Sequence, residues 1–166
     1  MIADESAFDV RYSVESDGMA LKSWLDDPVV RAEFPVSTDE ELRMFLPNWI
    51  GFYRFGSCLT AVYEDQVVGV GTLLLMPYRK LIHHCLTYVA VDPKWQRQGV
   101  GTALVRNLKH LAKNYFHLEI LGVEIYSGCK LESILLKQGF TETLRQEKYV
   151  KDQGMYRARV VFEASL

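Results

Sequence analysis

The sequence predicts an α+β fold built on a mixed, mostly antiparallel sheet, with elements in the order β-α-α-β-β-β-α-β-α-β-β. Three observations carry that expectation. Two hairpins punctuate the chain, one at Glu64-Asp65 and one at Asp152-Gln153-Gly154. Between them a β-type run, Leu86 to Val91, hands over through Asp92-Pro93 and two glycines to an amphipathic helix. In that helix Leu104, Val105, Leu108, Leu111 and Ala112 recur at three- and four-residue spacing. At 166 residues, 49% apolar and 24% charged, the chain suits one domain, 1–166, with a proper core, and is too short for two ordinary ones.

The elements follow in order. Phe8 to Val14 alternates as a first strand, and Ser16-Asp17 caps a helix carrying Met19, Leu21, Trp24 and Leu25. Asp26-Asp27-Pro28 breaks it, and a turn spans Val29 to Phe34. Thr38 and Glu41, spaced as a capping box, open a second helix running through Trp49 and Phe52. Pro47 inside it predicts a kink or break near Met44. Cys58–Tyr63 and Gln66–Leu75 form a hairpin whose Gly69 and Gly71 point to a bulge or a close backbone approach. His83–Val91 is the next strand, followed by the glycine loop and a helix from Gly101 to Asn114. Leu118–Tyr126 is a strand ended by Gly128, and Lys130–Gln138 a short helix with Gly139 at its C-terminus. Thr141–Val150 and Met155–Ala164 close the chain as a hairpin.

The glycines at 99 and 101 sit where a strand meets a helix N-terminus. Bare N–H groups and the positive end of the helix dipole converge there, which makes an anion cradle. A phosphate loop of the Walker type needs Lys and Ser/Thr after its last glycine, but Thr102-Ala103 follow Gly101. A dinucleotide fingerprint needs a third glycine where Leu104 stands. Gln96-Arg97-Gln98-Gly99-Val100-Gly101 instead matches the Q/R-x-x-G-x-G/A motif of the GNAT acetyltransferases, and the chain resembles that family from about Asp9 to Phe162. A helix ending in Gly139-Phe140 before the last hairpin is the second landmark. The resemblance implies an α/β/α GNAT fold, with helices flanking the sheet.

Net charge is −2, unevenly spread. Residues 1–41 hold eleven acids against three bases, whereas Lys94, Arg97, Arg106, Lys109 and Lys113 face no acid between 94 and 113. That balance suits a polyanionic cofactor and a cationic co-substrate, or simply a solvated helix face. It is too narrow for a nucleic-acid surface. No apolar run reaches the length of a membrane span. Met1-Ile2-Ala3-Asp4-Glu5 does not read as a signal peptide. Cys58, Cys85 and Cys129 lack metal-type spacing and read as free thiols, so a cytoplasmic location and no metal are expected.

The resemblance implies acetyl-CoA as co-substrate. Its diphosphate would rest on main-chain N–H groups from Arg97, Gln98, Gly99, Val100, Gly101 and Thr102, beside Gln96. In the family a bulge splays the preceding strand, whose backbone pairs with the pantetheine arm. This places Val89, Ala90 and Val91 there, with the Val89 N–H aimed at the thioester carbonyl. Such a preset donor strengthens as charge develops on oxygen, and losing one typically costs ~3 kcal/mol in the barrier. The family often carries a Glu at the position of Cys85, so no base is inherited; His83 and His84 are the nearby imidazoles expected to reach a water as base. The usual Tyr position is Leu135 and the usual Asn position is Gly128, leaving Tyr126 as the substitute phenol. Trp24, Phe34, Trp49, Phe52 and Tyr53 would wall the acceptor pocket or fill ordinary core. Asp26, Asp27, Glu33 and Glu40 would attract an amine or merely cap helices.

The implied function is N-acetyl transfer to a primary amine of a small molecule or a protein N-terminus, by a monomer or homodimer, with no nucleic-acid or membrane partner. The alternative is a non-catalytic acyl-CoA-binding module on the same fold. A dinucleotide-dependent oxidoreductase is disfavoured by Leu104 and the mostly antiparallel strand order.

Overall fold

Among the described residues seven strands form one sheet. They are β1 (Asp9–Tyr12), β2 (Cys58–Tyr63), β3 (Gln66–Leu74), β4 (His84–Val91), β5 (Ile120–Tyr126), β6 (Thr141–Asp152) and β7 (Met155–Ser165). The computed structural model describes residues 8–166, so the reading of Met1 to Glu5 lies outside the described residues. The spatial order is β1-β2-β3-β4-β5-β7-β6, and only the β4–β5 neighbours run parallel. Two apolar clusters lie on opposite faces. One holds α4 (Val100–Asn114) and α5 (Leu131–Lys137); the other holds α1 (Asp17–Leu25), α2 (Pro28–Arg31) and α3 (Asp39–Ile50).

The α4 helix is seated by the two strand glycines. A Cβ on Gly69 would stand 2.7 Å from Val100 and 2.8 Å from Leu104, and one on Gly71 would stand 2.6 Å from Leu108. A side chain at either position would force these α4 side chains to shift, so the glycines allow the close approach. The strand register also slips between Ala61 and Val62, opposite Val67 and Gly69, so a bulge adjoins the close approach.

Three local expectations change. The span from Val29 onward starts as the helix α2 rather than a turn, because the Asp27 carboxylate accepts the Val29 N–H at 2.8 Å and Pro28 fits the first helical position. Helix α3 runs unbroken through Pro47. Burial of Leu42, Trp49 and Ile50 on one face outweighs the single lost backbone bond. Strand β4 keeps a regular register with β3 from Leu86 to Val91, without the bulge expected in it. The capping box at Thr38 is present, with Glu41 N–H donating to Thr38 Oγ1 at 3.1 Å and Thr38 N–H to Glu41 Oε2 at 3.1 Å. Helix α5 ends in a Schellman motif: the Phe140 N–H donates to Leu135 O at 3.0 Å and the Gly139 N–H to Leu136 O at 3.2 Å, with Gly139 at φ +83°.

At the start of α1 the acid, not the serine, does the tying. Ser16 makes no capping bond, whereas buried Asp17 accepts from Arg11 at 2.8 and 3.0 Å, Val14 N–H at 2.9 Å and the Thr60 hydroxyl at 2.7 Å. Burial pushes this carboxyl up, but the bonds from Arg11, Val14 and Thr60 outweigh it and hold it below the ordinary aspartate range. The folded value lies beneath the unfolded one, so the group stabilises the fold at neutral pH, and that contribution is lost as pH falls through the folded value. Asp17→Asn is expected to destabilise by about 1–3 kcal/mol at pH 7. The gap between the two proteins should close as the medium is taken below the ordinary aspartate range, which denaturant melts at a series of pH values read directly.

Candidate active site

Strands β4 and β5 pair over only four positions, His84↔Ile120 to Thr87↔Val123. Beyond that they part, because β4 continues with β3 to Val91 while β5 continues with β7 to Tyr126. A cleft of about 410 Å³ opens in the wedge. The Asp92 N–H donates to Val68 O on the β3 side, and His83 O accepts from the N–H groups of Glu119 and Ile120 at the start of β5. By strand alternation the main-chain groups of Val89 and Val91 therefore face the cleft, and those of Tyr88 and Ala90 face β3.

One mouth of the cleft is the glycine loop. Asp92 takes the Lys94 N–H at 2.9 Å and turns the chain through Pro93–Trp95. Arg97 at φ +62° and Gly99 at φ +93° then adopt left-handed backbone on either side of Gln98. Gly99 is the N-cap of α4 and offers no side-chain cap; the first helical bond is Ala103 N–H to Gly99 O. The N–H groups of Val100, Gly101 and Thr102 thus have no helical partner. A Cβ on Gly101 would stand 3.0 Å from Ile134, so the loop, β4 and α5 touch there. Arg97 and Lys130 bring positive charge to this end, and Lys130 Nζ lies 3.4 Å from Gln96 Oε1. Backbone, dipole and charge all favour a diphosphate here.

The other wall faces α2 and the last hairpin. Side chains of Val123 and Ile125 pack toward α4, so Glu124 and Tyr126 project to the opposite face, with Tyr88. Glu124 follows directly on the last paired residue of β5 and lines the cleft. Its Oε2 accepts from Arg159 at 2.7 Å, and Arg159 also donates to Gln146 Oε1 at 3.0 Å while stacking over Tyr149. Nearby, Arg157 holds Glu33 at 3.1 and 3.2 Å, Ala32 O at 3.0 Å and Ser127 O at 3.0 Å, fixing α2 against the end of β5.

The structure gathers Val89, Ala90, Val91, Gln96, Arg97, Gly99, Gly101 and Thr102 around the cleft. The Gln98 side chain turns back to Lys94 O and the Val100 side chain is buried under β3, so only their main chain is on offer. His83 and His84 meet edge to face at the far end of β4, His84 about 17 Å from Val89 at strand rise, and neither lines the cleft. Tyr126 lies behind the lining; burial and then the charge of Glu124 push its hydroxyl up to about 12. Cys85 faces the α4 core, where burial pushes its thiol up to about 12. Of the expected aromatic wall Phe34 lines the cleft, while Trp24 and Trp49 are core. Of the expected acids Glu33 lines it, Asp27 caps α2 and Asp26 pairs with Lys22. Lys109 is spent on Gln138 O at the end of α5. Among the described residues no His, Cys, Asp and Glu cluster could hold a metal, and no helix is long and apolar enough to cross a membrane. Glu124 has no spacing signature in the sequence. The signal that finds it is its parity on β5, opposite to the core-facing Val123 and Ile125.

A half-open mixed sheet with an uncapped helix start at the wedge defines an α+β protein with an anion-binding cleft. Residues 20–134 match the Acetyltransferase (GNAT) family, and the chain belongs to it. Among solved structures it is similar to a ribosomal-protein-alanine N-acetyltransferase from Brucella melitensis, at TM-score 0.77 and 22% identity, covering 95% of this chain and 99% of that one. It is also similar to yncA of Salmonella typhimurium, solved with its cofactor acetyl-CoA, at TM-score 0.79 and 17% identity over 96% and 94% of the two chains. A third is the Salmonella typhimurium acetyl transferase that modifies the N-terminal serine of ribosomal protein L7/L12, at TM-score 0.74 and 14% identity over 97% and 96%. No curated protein sequence matches the chain.

Gly101→Asp puts a carboxylate among the bare N–H groups and crowds Ile134. Calorimetry is expected to show at least a hundredfold loss of coenzyme A affinity; unchanged affinity contradicts the cradle.

Proposed function

We propose that the protein transfers an acetyl group from acetyl-CoA to a primary amine, with Glu124 as the general base. The observation that carries this reading is one carboxylate at the root of the wedge, on the face opposite α4, next to a strand edge with unpaired main-chain groups. The residues fit the co-substrate. Bare N–H groups from Val100 to Thr102, with Arg97 and Lys130, suit its diphosphate, and the free edge of Val89 and Val91 suits an amide-bearing arm. When bound, acetyl-CoA supplies an electrophilic acyl carbon and a thiolate leaving group.

The chain's own groups do the rest. The Val89 N–H acts as a preset donor to a developing oxyanion. Glu124, anchored by Arg159, takes the amine's proton directly or through one water. On α5 the residue four before Gly139 is the fully buried Leu135, so no phenol comes from there. Tyr88 lines the cleft. Burial pushes the Tyr88 hydroxyl up, so it holds a proton at neutral pH and serves as the donor to the departing thiolate, whereas Tyr126 stands behind the lining.

Leu135 also favours a second reading, an acyl-CoA-binding module without turnover. A thiol-release assay against an amine panel separates them, because both bind acetyl-CoA and only the enzyme frees thiol. Glu124→Gln is expected to lower kcat/KM by about 10²–10⁴-fold with acetyl-CoA affinity unchanged. Activity within twofold of the parent removes Glu124 from the base role.

A further inference from the structure

The acceptor side of the cleft combines an aromatic shelf with carboxylates that are already neutralised. Phe34 and Tyr88 line it with rings 6.1 Å apart, and Trp49 backs both at 5.2 and 5.4 Å. Val29 and Val30 of α2 continue the apolar surface. The two acids on this wall are Glu33 and Glu124, and each is committed to a guanidinium, Arg157 at 3.1 Å and Arg159 at 2.7 Å. The other charged residues of the lining, Arg97 and Lys130, are cationic.

A polyamine or an aminosugar brings several ammonium groups. Each one moved out of water needs an uncompensated carboxylate, and this wall offers none. A lone amine needs only to shed one proton to Glu124, and the group beside it gains from covering Phe34 and Tyr88. We propose that the acceptor is a singly charged primary amine with an apolar group beside it, and that Phe34 and the Arg157–Glu33 pair set this preference. The inference rests on the transferase reading above and adds the class of acceptor. A free arylalkylamine and a peptide N-terminus with an apolar first residue share this chemistry.

The test is a thiol-release panel on the full chain with acetyl-CoA. It contains phenethylamine, tetrapeptides beginning Met, Leu or Asp, spermidine and kanamycin. At least one apolar arm, free amine or peptide, is expected to exceed spermidine and kanamycin by tenfold or more in kcat/KM, and the Met and Leu peptides to exceed the Asp peptide. The faster of the two apolar arms identifies the source. Phe34→Ala should shrink the apolar preference at least fivefold with the KM for acetyl-CoA unchanged. Arg157→Gln, which frees the Glu33 carboxylate, should raise spermidine turnover relative to the apolar arm. The wild-type panel decides if either variant fails to fold. Polycations used as well as or better than the apolar amines overturn the inference and leave the transferase reading standing. No thiol release with any arm, while acetyl-CoA still binds, overturns both.

Discussion

Everything in the cleft depends on two neighbouring strands of one sheet diverging as each follows its outer partner. Strand β5 is bonded to β7 from Ile120 to Tyr126, and β4 to β3 from Leu86 to Val91. With each strand held by its outer neighbour, only four positions remain paired between them. Main-chain groups that would be costly to bury unpaired are thereby left at an internal edge, facing a space that a ligand can enter. No bulge in β4 is needed to produce that opening. The single parallel pairing is the weak seam of the sheet, and the cleft forms along it.

The helix beside the seam is positioned by what is missing from the sequence. Side chains are absent at Gly69 and Gly71, so α4 sits directly on β3, and none at Gly101 holds the loop away from α5. Left-handed backbone at Arg97 and Gly99 then turns successive N–H groups toward the mouth. On the opposite face two arginines two residues apart on β7 each bind one acid of the wall. The last hairpin therefore fixes both α2 and Glu124, and a strand remote from the glycine loop shapes the wall of the cleft.

Much of this was legible in residue order. Turn residues at Glu64-Asp65 and Gln153-Gly154, the apolar period after Gly101 and the Gly139-Phe140 ending are local signals, and local signals survive folding. Pro47 misled because burial of Trp49 and Ile50 outweighs one backbone bond, a term invisible at the level of propensity. Glu124 was missed for another reason. Its position comes from the pairing of β5 with two neighbours far away in sequence, so only the register shows that it stands at the root of the wedge. The neighbouring histidines stand at the wrong end of the strand, away from the cleft.

The central claim is that main-chain amides at the start of α4 and along the open edge of β4 form one continuous seat for coenzyme A. Amide hydrogen exchange with and without acetyl-CoA measures it directly. Slowed exchange confined to residues 97–102 and to Val89 and Val91 is the expected result. Unchanged exchange there, or protection elsewhere on the sheet, contradicts it.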